Sequence, residues 1–494
     1  MTSYKNNWLV QWTVVGLLLG IGFVLTSVWW LGVVGTACTI YLSLQKSPLK
    51  QIVVGGLLAW TTKSALALIW FWSVYPIEWV GIDLGYLQLI LIFFWWSTAA
   101  LWLGFGGVLF VVGCRLLQAH TSLAVTYLSI PFLWLAAEMF GSLIFSLITI
   151  GPGGSITTAF SFGYVGYLLA GHNVLIQFAQ IGGVYSLGVL LAALGVLFMW
   201  MYTIPAYKKY AFGFTILLLV TSFIPIQKTQ MANDSYTVAV IDTDFKLDQL
   251  RTGEGRDSIQ MKIESAVQSA LTLEPDYILL PEDSRYFDQQ SEVGIVAAQF
   301  RFRTDDVETI IVDSGRADDA EKAVVQSFIY NGKENVIDQS HKRYLVPQGE
   351  FMPTLYTSAL KLFGRAEMID QFAKTVAFEV GSKTNQDDHA VTSPGVLFCF
   401  ESVSPWGVRS VISERGTVPF IAHPISHAWF NQPQTLLNQL TSMLQVQAIW
   451  NQQYIVSSGN AASSQVFLPT GVVVIPELID SGDGWQLKVT QIPK

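Results

Sequence analysis

Apolar residues are distributed differently in the two halves of the chain. The first half contains long apolar runs, and seven of them are long enough to cross about 30 Å of hydrocarbon as helices. These runs cover roughly 8–26, 28–45, 51–74, 86–116, 121–149, 173–202 and 210–226. The stretch 150–172 is rich in glycine and aromatic residues, which favours a loop or an interfacial segment. We therefore predict a multi-pass α-helical membrane domain of about seven helices over residues 1–228.

The second half alternates short apolar runs with polar segments, a pattern typical of the strands and helices of an α/β domain. Strands are predicted near 235–241, 276–282, 306–313, 323–330, 395–401 and 417–425, and a hairpin near 465–475. Helices are predicted over about 255–272 and 433–451. Strands that alternate with helices over residues 235–494 imply an α/β sandwich with a substantial core.

Charge separates the same two halves. Residues 1–226 hold seven of the 28 lysines and arginines and three of the 36 acidic residues, so 21 positive and 33 negative charges remain in residues 227–494. The second half is therefore acidic, which argues against nucleic acid as a partner. The chain has only three cysteines, which cannot form a disulfide framework. No cofactor and no metal are predicted.

The positive charges of the first half also predict its orientation in a membrane. If the N-terminus is cytoplasmic, the lysines and arginines between helices all fall on the cytoplasmic side, and the outer loops carry only Glu78 and Asp83. This asymmetry follows the positive-inside rule. The first apolar run lacks a small-residue cleavage site, so we interpret it as an uncleaved anchor. Seven crossings would place residues 235–494 on the extracytoplasmic side of the membrane.

Two charged residues, Lys63 and Glu138, fall inside predicted helices. Ionisable groups at membrane depth are costly, and they usually face a bundle interior or a water-filled cavity. Mutual neutralisation during assembly and a role at a functional site are both open interpretations of this pair.

The run Gly395-Val-Leu-Phe-Cys-Phe-Glu401 predicts a short buried strand that ends on a single thiol. Strand ends are where α/β sheets place reactive groups. Cys399 is either a small buried hydrophobe, as most free cysteines are, or a nucleophile. Two other reactive groups, Glu282 and Lys342, also come at or just past predicted strand ends.

Glu282, Lys342 and Cys399 together would suffice for acyl transfer through a thioester. A thiol with a pKa of about 8.5 is mostly protonated at neutral pH, so a carboxylate base is needed to take its proton. Attack on an acyl carbon creates an oxyanion, and a fixed ammonium can stabilise that charge in a dry site.

Three spaced motifs resemble the signature of the nitrilase (carbon–nitrogen hydrolase) superfamily: Pro281-Glu282, Lys342 followed by Leu345-Val-Pro-Gln-Gly-Glu350, and Cys399-Phe-Glu401. A helical membrane domain in front of such a domain resembles the apolipoprotein N-acyltransferase family more specifically. The resemblance implies a nitrilase-like αββα sandwich over residues 235–494.

In that family an acyl chain passes from a membrane phospholipid to a cysteine, and then to the α-amino group of a lipoprotein's N-terminal diacylglyceryl-cysteine. The resemblance implies an N-acyltransferase with Glu282 as base, Lys342 as oxyanion partner and Cys399 as nucleophile. It also implies neighbouring or substrate-contacting roles for Glu350, Phe400, Glu401 and Trp429. The chain departs from the family where the family usually has Phe at Gln348, Tyr at Phe400 and Asn-Asp at Ser426-His427.

Two other functions remain open. The same three residues would serve a membrane-tethered amidase, and a catalytically silent relative would bind lipoproteins as a scaffold. An apolar thiol pocket that continues to the bilayer would favour the acyltransferase. The segment Phe351–Phe363, directly after the lysine motif, is either a core-packing helix or a lid that dips into the outer leaflet.

The predicted orientation can be measured by labelling single cysteines with a membrane-impermeant reagent. We expect positions near 75–85 and 150–172 to be labelled from outside, and positions 203–209 only after the membrane is opened, because the outer loops lack lysine and arginine. Recovery of residues 235–494 on the cytoplasmic side would exclude the acyltransferase hypothesis.

Overall fold

A computed structural model of the chain describes residues 7–77, 85–152, 154–204, 234–246, 253–286, 309–319, 322–331, 337–362, 364–369 and 393–494, with 213, 216–217, 220–224 and 249. Within these ranges the first half forms helices α1 (Trp8–Val24), α2 (Leu31–Leu44), α3 (Leu49–Ala67), α4 (Gly85–His120), α5 (Leu123–Ile148) and α6 (Ala179–Thr203). The helix predicted at 210–226 lies mostly outside the described residues, as do Lys5, Glu78, Asp83, Lys208 and Lys209.

Three helical stretches in the described ranges are long and apolar enough to span a membrane, namely Gly85–His120, Leu123–Ile148 and Leu175–Thr203. Helices α1 and α2 are apolar but shorter. The run predicted as one crossing at 51–74 is divided, because α3 ends at Ala67 and a 3-10 helix, Ile69–Val74, follows it. The stretch 150–172 contains a short 3-10 helix, Val165–Gly171, and no crossing among its described residues.

The two charges inside the helices neutralise each other. Lys63 Nζ lies 3.3 Å from Glu138 Oε1, and both side chains are almost completely buried. The same Glu138 oxygen accepts a hydrogen bond of 2.9 Å from the backbone N–H of Val165. The pair therefore connects α3 and α5 to the 3-10 helix Val165–Gly171.

The second half is an α/β domain. Its described strands are β1 (Ser235–Thr243), β2 (Tyr277–Leu279), β3 (Ile310–Asp319), β4 (Lys322–Asn331), β5 (Ile337–His341), β6 (Gly395–Val396), β7 (Ile421–Ser426), β8 (Ile455–Asn460), β9 (Val466–Phe467), β10 (Val473–Val474), β11 (Glu477–Gly482) and β12 (Trp485–Pro493). Its helices are α7 (Gly253–Leu271), α8 (Thr354–Leu362), α9 (Gly407–Arg415) and α10 (Gln434–Asn451). The hairpin of β11 and β12 was not predicted from the sequence.

The strands form two sets. Strands β1, β2 and β3 are parallel, and β12, β11, β4 and β5 extend this set with antiparallel pairs. Strands β6, β7 and β8 are parallel, and β9 and β10 extend them antiparallel. The pairing between β1 and β8 is limited to Thr243 with Asn460. This single pair allows the two sets to stack face to face.

Alternate side chains of β1 show how the layers are arranged. Val238 and Val240 belong to a core that also contains Val396 and Ala422 of the second set. Ala239 and the other side chains of the opposite face pack against α7. Helices α9 and α10 cover the outer face of the second set through a separate core. The order is helix, sheet, sheet, helix, which confirms the predicted αββα sandwich.

Helix α10 is shared by the sandwich and the helical half. Leu444 and Ala448 pack against the second set of strands. Leu440 and Met443 belong to the core of helices α1 to α6. Gln439 Nε2 adds a hydrogen bond of 2.8 Å to the carbonyl oxygen of Ala67, where α3 ends. Helix α10, which is apolar on two faces, therefore contributes to joining the two halves.

Replacing Lys63 with Met should destabilise the helical half, because it leaves the buried Glu138 without its cation. Breaking a buried pair from one side costs about 3–5 kcal/mol. Lys63→Met together with Glu138→Met should recover part of this loss, but not all, because the N–H of Val165 then lacks its acceptor. The midpoint of thermal unfolding in detergent measures both effects. A single variant as stable as the wild type would contradict the role given to this pair.

Candidate active site

The structure brings Glu282, Lys342 and Cys399 together in one cavity. Lys342 Nζ lies 2.9 Å from Glu282 Oε1. Cys399 is close enough to both groups for each of their charges to affect its pKa. The three residues predicted to perform the chemistry are therefore neighbours in space, although their positions in the chain are far apart.

Glu282 is positioned by a turn at the end of β2. The backbone N–H of Asp283 donates to Ser314 Oγ at 2.9 Å, and the same hydroxyl donates to the carbonyl oxygen of Pro281 at 3.1 Å. Ser314 is part of the neighbouring strand β3. One serine thus holds the backbone on both sides of Glu282.

Lys342 directly follows β5 and is almost completely buried, with a side chain that is 1% exposed. Its Nζ also lies 2.6 Å from Glu350 Oε1, and the second oxygen of Glu350 accepts from the N–H of Val346 at 2.7 Å. Burial disfavours the charged ammonium, but Glu282 and Glu350 outweigh it and raise the pKa of Lys342. Lys342 is therefore a fixed cation at neutral pH, and Glu350 is its second counter-ion.

The strand before Cys399 ends at Val396 and is therefore shorter than predicted. Cys399 lies beyond it and begins a 3-10 helix, Cys399–Val403. Burial raises the pKa of the Cys399 thiol, the charge of Glu282 raises it further, and Lys342 opposes both effects. Burial also raises the pKa of Glu282, again with Lys342 in opposition. The resting thiol is therefore protonated, and the neighbouring carboxylate has gained basicity.

Glu401 has a different environment from the other carboxylates of the site. It accepts hydrogen bonds from the N–H groups of Phe398, at 3.0 Å, and Arg343, and it pairs with the guanidinium of Arg343 at 3.2 Å. Arg343 also bonds Glu414. Glu401 does not line the cavity in the described part of the chain. Glu401 therefore connects Arg343, the residue after Lys342, to the turn that carries the thiol. Sequence analysis did not predict this ion pair.

The cavity beside the thiol is lined by both halves of the protein. Its volume is about 180 Å³, far above the roughly 10–15 Å³ that one water molecule needs. The helical half contributes an almost entirely apolar wall, which includes Trp70, Trp95, Ala99, Phe145, Ile148 and Phe162. The α/β half contributes the reactive groups together with Phe400, Trp429 and Phe430. Phe400 and Trp429, both predicted to contact substrate or to neighbour the reactive groups, thus lie in the cavity wall.

The helical half also holds the turn that carries Cys399. Ser161 Oγ donates a hydrogen bond of 2.5 Å to the carbonyl oxygen of Val403, the last residue of the 3-10 helix. The rings of Phe160 and Phe400 approach to 6.5 Å between centroids.

Within the described ranges, no group of three or more His, Cys, Asp and Glu residues is arranged to hold a metal ion.

The segment after the lysine motif has an anchored start and an exposed helix. Phe351 is 2% exposed, and its ring lies so close to Gly154 that a Cβ there would be 2.7 Å from it. Helix α8 has no buried residue, and its Leu355 and Leu362 are 56% and 84% exposed. Phe351 is therefore a packing residue, whereas α8 remains a candidate for the predicted lid. Phe363, the last residue of that prediction, lies outside the described residues.

If α8 contacts lipid, Leu355→Ser with Leu362→Ser should weaken the use of a phospholipid donor and leave the thermal midpoint unchanged, since neither side chain is packed. Phe351→Ser is the matched control. It should lower stability by at least about 3 kcal/mol, because it leaves a cavity at a buried site. A large loss of stability in the double leucine variant would refute the lid.

Among solved structures, the chain is similar to a cysteine-to-alanine mutant of the Nesterenkonia AN1 amidase from the nitrilase superfamily, with a TM-score of 0.35 and 13% identity over 53% of this chain and 93% of that one. It is also similar to a CN-hydrolase superfamily protein from Xanthomonas campestris, with a TM-score of 0.34 and 12% identity over 52% of this chain and 90% of that one. A third similar structure is a glutamine-dependent NAD+ synthetase from Acinetobacter baumannii, with a TM-score of 0.36 and 14% identity over 52% of this chain and 45% of that one. No protein-family model and no curated protein matches the chain. The four layers of the sandwich, and not these similarities, define the fold.

Proposed function

We propose that the protein is a membrane-bound N-acyltransferase. It moves a fatty acyl chain from a phospholipid, through a thioester on Cys399, to the α-amino group of an N-terminal diacylglyceryl-cysteine of a lipoprotein. The proposal places residues 1–228 in the inner membrane and residues 235–494 on its periplasmic face. The acceptor and this location rest on the resemblance of the sequence motifs and on the charge pattern.

One observation carries the proposal: the cavity that contains the thiol is also lined by helices long enough to span a membrane. Trp95 and Ala99 are on α4, and Phe145 and Ile148 are on α5. A small polar amide has no apolar chain that could pack against this wall. An acyl chain that passes from a bilayer to this wall stays in apolar surroundings, so its methylene groups avoid exposure to water, which would cost about 0.8 kcal/mol for each. The wall therefore favours the acyltransferase over the amidase.

In the first half-reaction Glu282 takes the proton of the Cys399 thiol, and the thiolate attacks the ester carbonyl of the phospholipid. Lys342 stabilises the oxyanion that forms. The bond between the acyl carbon and the ester oxygen then breaks, and the departing lysophospholipid takes the proton from Glu282. The acyl chain remains on sulfur as a thioester. Glu350 keeps Lys342 in place while the charge beside it changes.

In the second half-reaction the α-amino group of the acceptor attacks the thioester carbon. Glu282 removes a proton from the attacking nitrogen, and Lys342 again faces the oxyanion. The carbon–sulfur bond breaks, and the proton returns to the sulfur of Cys399. An amide is formed and the thiol is regenerated, so no cofactor is consumed.

The thioester can be tested with a phospholipid and no acceptor. We expect the peptide that contains Cys399 to gain the mass of one acyl chain, as measured by mass spectrometry. Cys399→Ala should abolish the adduct, and Glu282→Gln should slow its formation because the thiol loses its base. Lys342→Ala should slow it by roughly 10²–10³, the usual effect of losing one oxyanion partner.

The same experiment separates the alternatives. An amidase would form no adduct from phospholipid and would release ammonia or an amine from a small amide. A silent scaffold would do neither, and Cys399→Ala would leave its function intact. Full activity of that variant would defeat both enzymatic hypotheses.

A further inference from the structure

His427 is a buried side chain of the cavity that has no role in the reaction described above. His427 directly follows β7 and lines the cavity, next to Ser426, whose carbonyl oxygen is 4.0 Å from Cys399 Sγ. His427 is 1% exposed. Neither of its ring nitrogens has a hydrogen-bond partner among the described residues.

The backbone of His427 is held in place although its ring is not bonded. Its N–H donates to the carbonyl oxygen of Asn460, and its own carbonyl accepts from the N–H of Phe430, both at 2.9 Å. The other histidine of this region, His423, bonds Ser457 through Nδ1 at 2.9 Å. Buried polar groups are nearly always hydrogen-bonded. An unbonded imidazole in a cavity wall is therefore available to a ligand that enters the cavity.

The chemistry of the site narrows the class of that ligand. Burial lowers the pKa of His427 to about 4, so its imidazole is neutral at pH 7, with one N–H donor and one acceptor nitrogen. The charged and titratable groups that share the cavity with His427 are Glu282, Lys342, Glu350, Tyr356 and Cys399. A neutral imidazole can donate its N–H to an uncharged ester oxygen, and an ester has to enter this cavity to react with Cys399, which lines the same cavity as His427.

We propose that His427 binds the acyl donor by donating a hydrogen bond to an uncharged ester oxygen of the phospholipid. This inference rests on the proposed acyltransferase function. In a wall that is otherwise largely apolar, such a bond would strengthen the binding of the donor. His427 is therefore a substrate-binding residue that determines the affinity for the donor.

The test uses the full chain in detergent micelles with a single phosphatidylethanolamine as donor. For His427→Leu, the concentration that half-saturates adduct formation on Cys399 should rise about tenfold, the value of one hydrogen bond. The limiting rate should change little, and His427→Asn, which keeps a donor, should recover most of the affinity. In a Cys399→Ala background, direct binding of the same lipid should weaken by the same factor.

Stability distinguishes binding from a structural role. His427→Leu should keep or raise the thermal midpoint, because it removes a buried polar group that has no partner in the protein. His423→Leu is the comparison and should lower the midpoint, because it removes a bonded imidazole. Unchanged donor affinity in His427→Leu would overturn the inference. If the wild type forms no adduct, the proposed function fails, and lipid binding in the Cys399→Ala background still decides the role of His427.

Discussion

Helix α10 has to bury two apolar faces at once, and this constraint fixes where the cavity lies. One face packs through Leu444 on the sheet, and the other packs through Leu440 among the helices of the first half. Each buried side chain of this kind contributes about 1.5–3 kcal/mol. The sandwich therefore cannot separate from the helices without exposing one of these faces. As a result, the cavity that contains the reactive groups lies against the helical half.

This contact buries most of the reactive groups, and their burial explains their charges. A buried ammonium such as Lys342 is tolerated only when counter-charges surround it, and Glu282 and Glu350 both do so. The same burial keeps Cys399 protonated and makes Glu282 a better base. Apolar walls and a carboxylate–ammonium–thiol arrangement are thus consequences of one arrangement of the two halves.

The sequence predicted the parts of this arrangement that depend on local patterns. The alternation in Ser235–Ile241 identified β1, and the predicted strand ends singled out Glu282 and Cys399 as candidate reactive residues. The link between Arg343 and Glu401 could not be predicted, because it depends on how distant turns meet. The unbonded state of His427 could not be predicted either, since it is a property of the assembled cavity. Strand β11 was missed because all of its residues are exposed, so it lacks the apolar face that identifies a strand.

The pairing of β1 with β12 affects how the protein is made. Ser235 is paired with Pro493, and the register continues to Thr243 with Trp485. During translation β1 leaves the ribosome long before its antiparallel partner exists, so one of its edges stays open until β12 is synthesised. Unpaired edges of this kind are prone to wrong pairing and aggregation. Because of this order of synthesis, the sheet closes late. The open edge of β1 therefore has to be protected until then if active protein is to be produced.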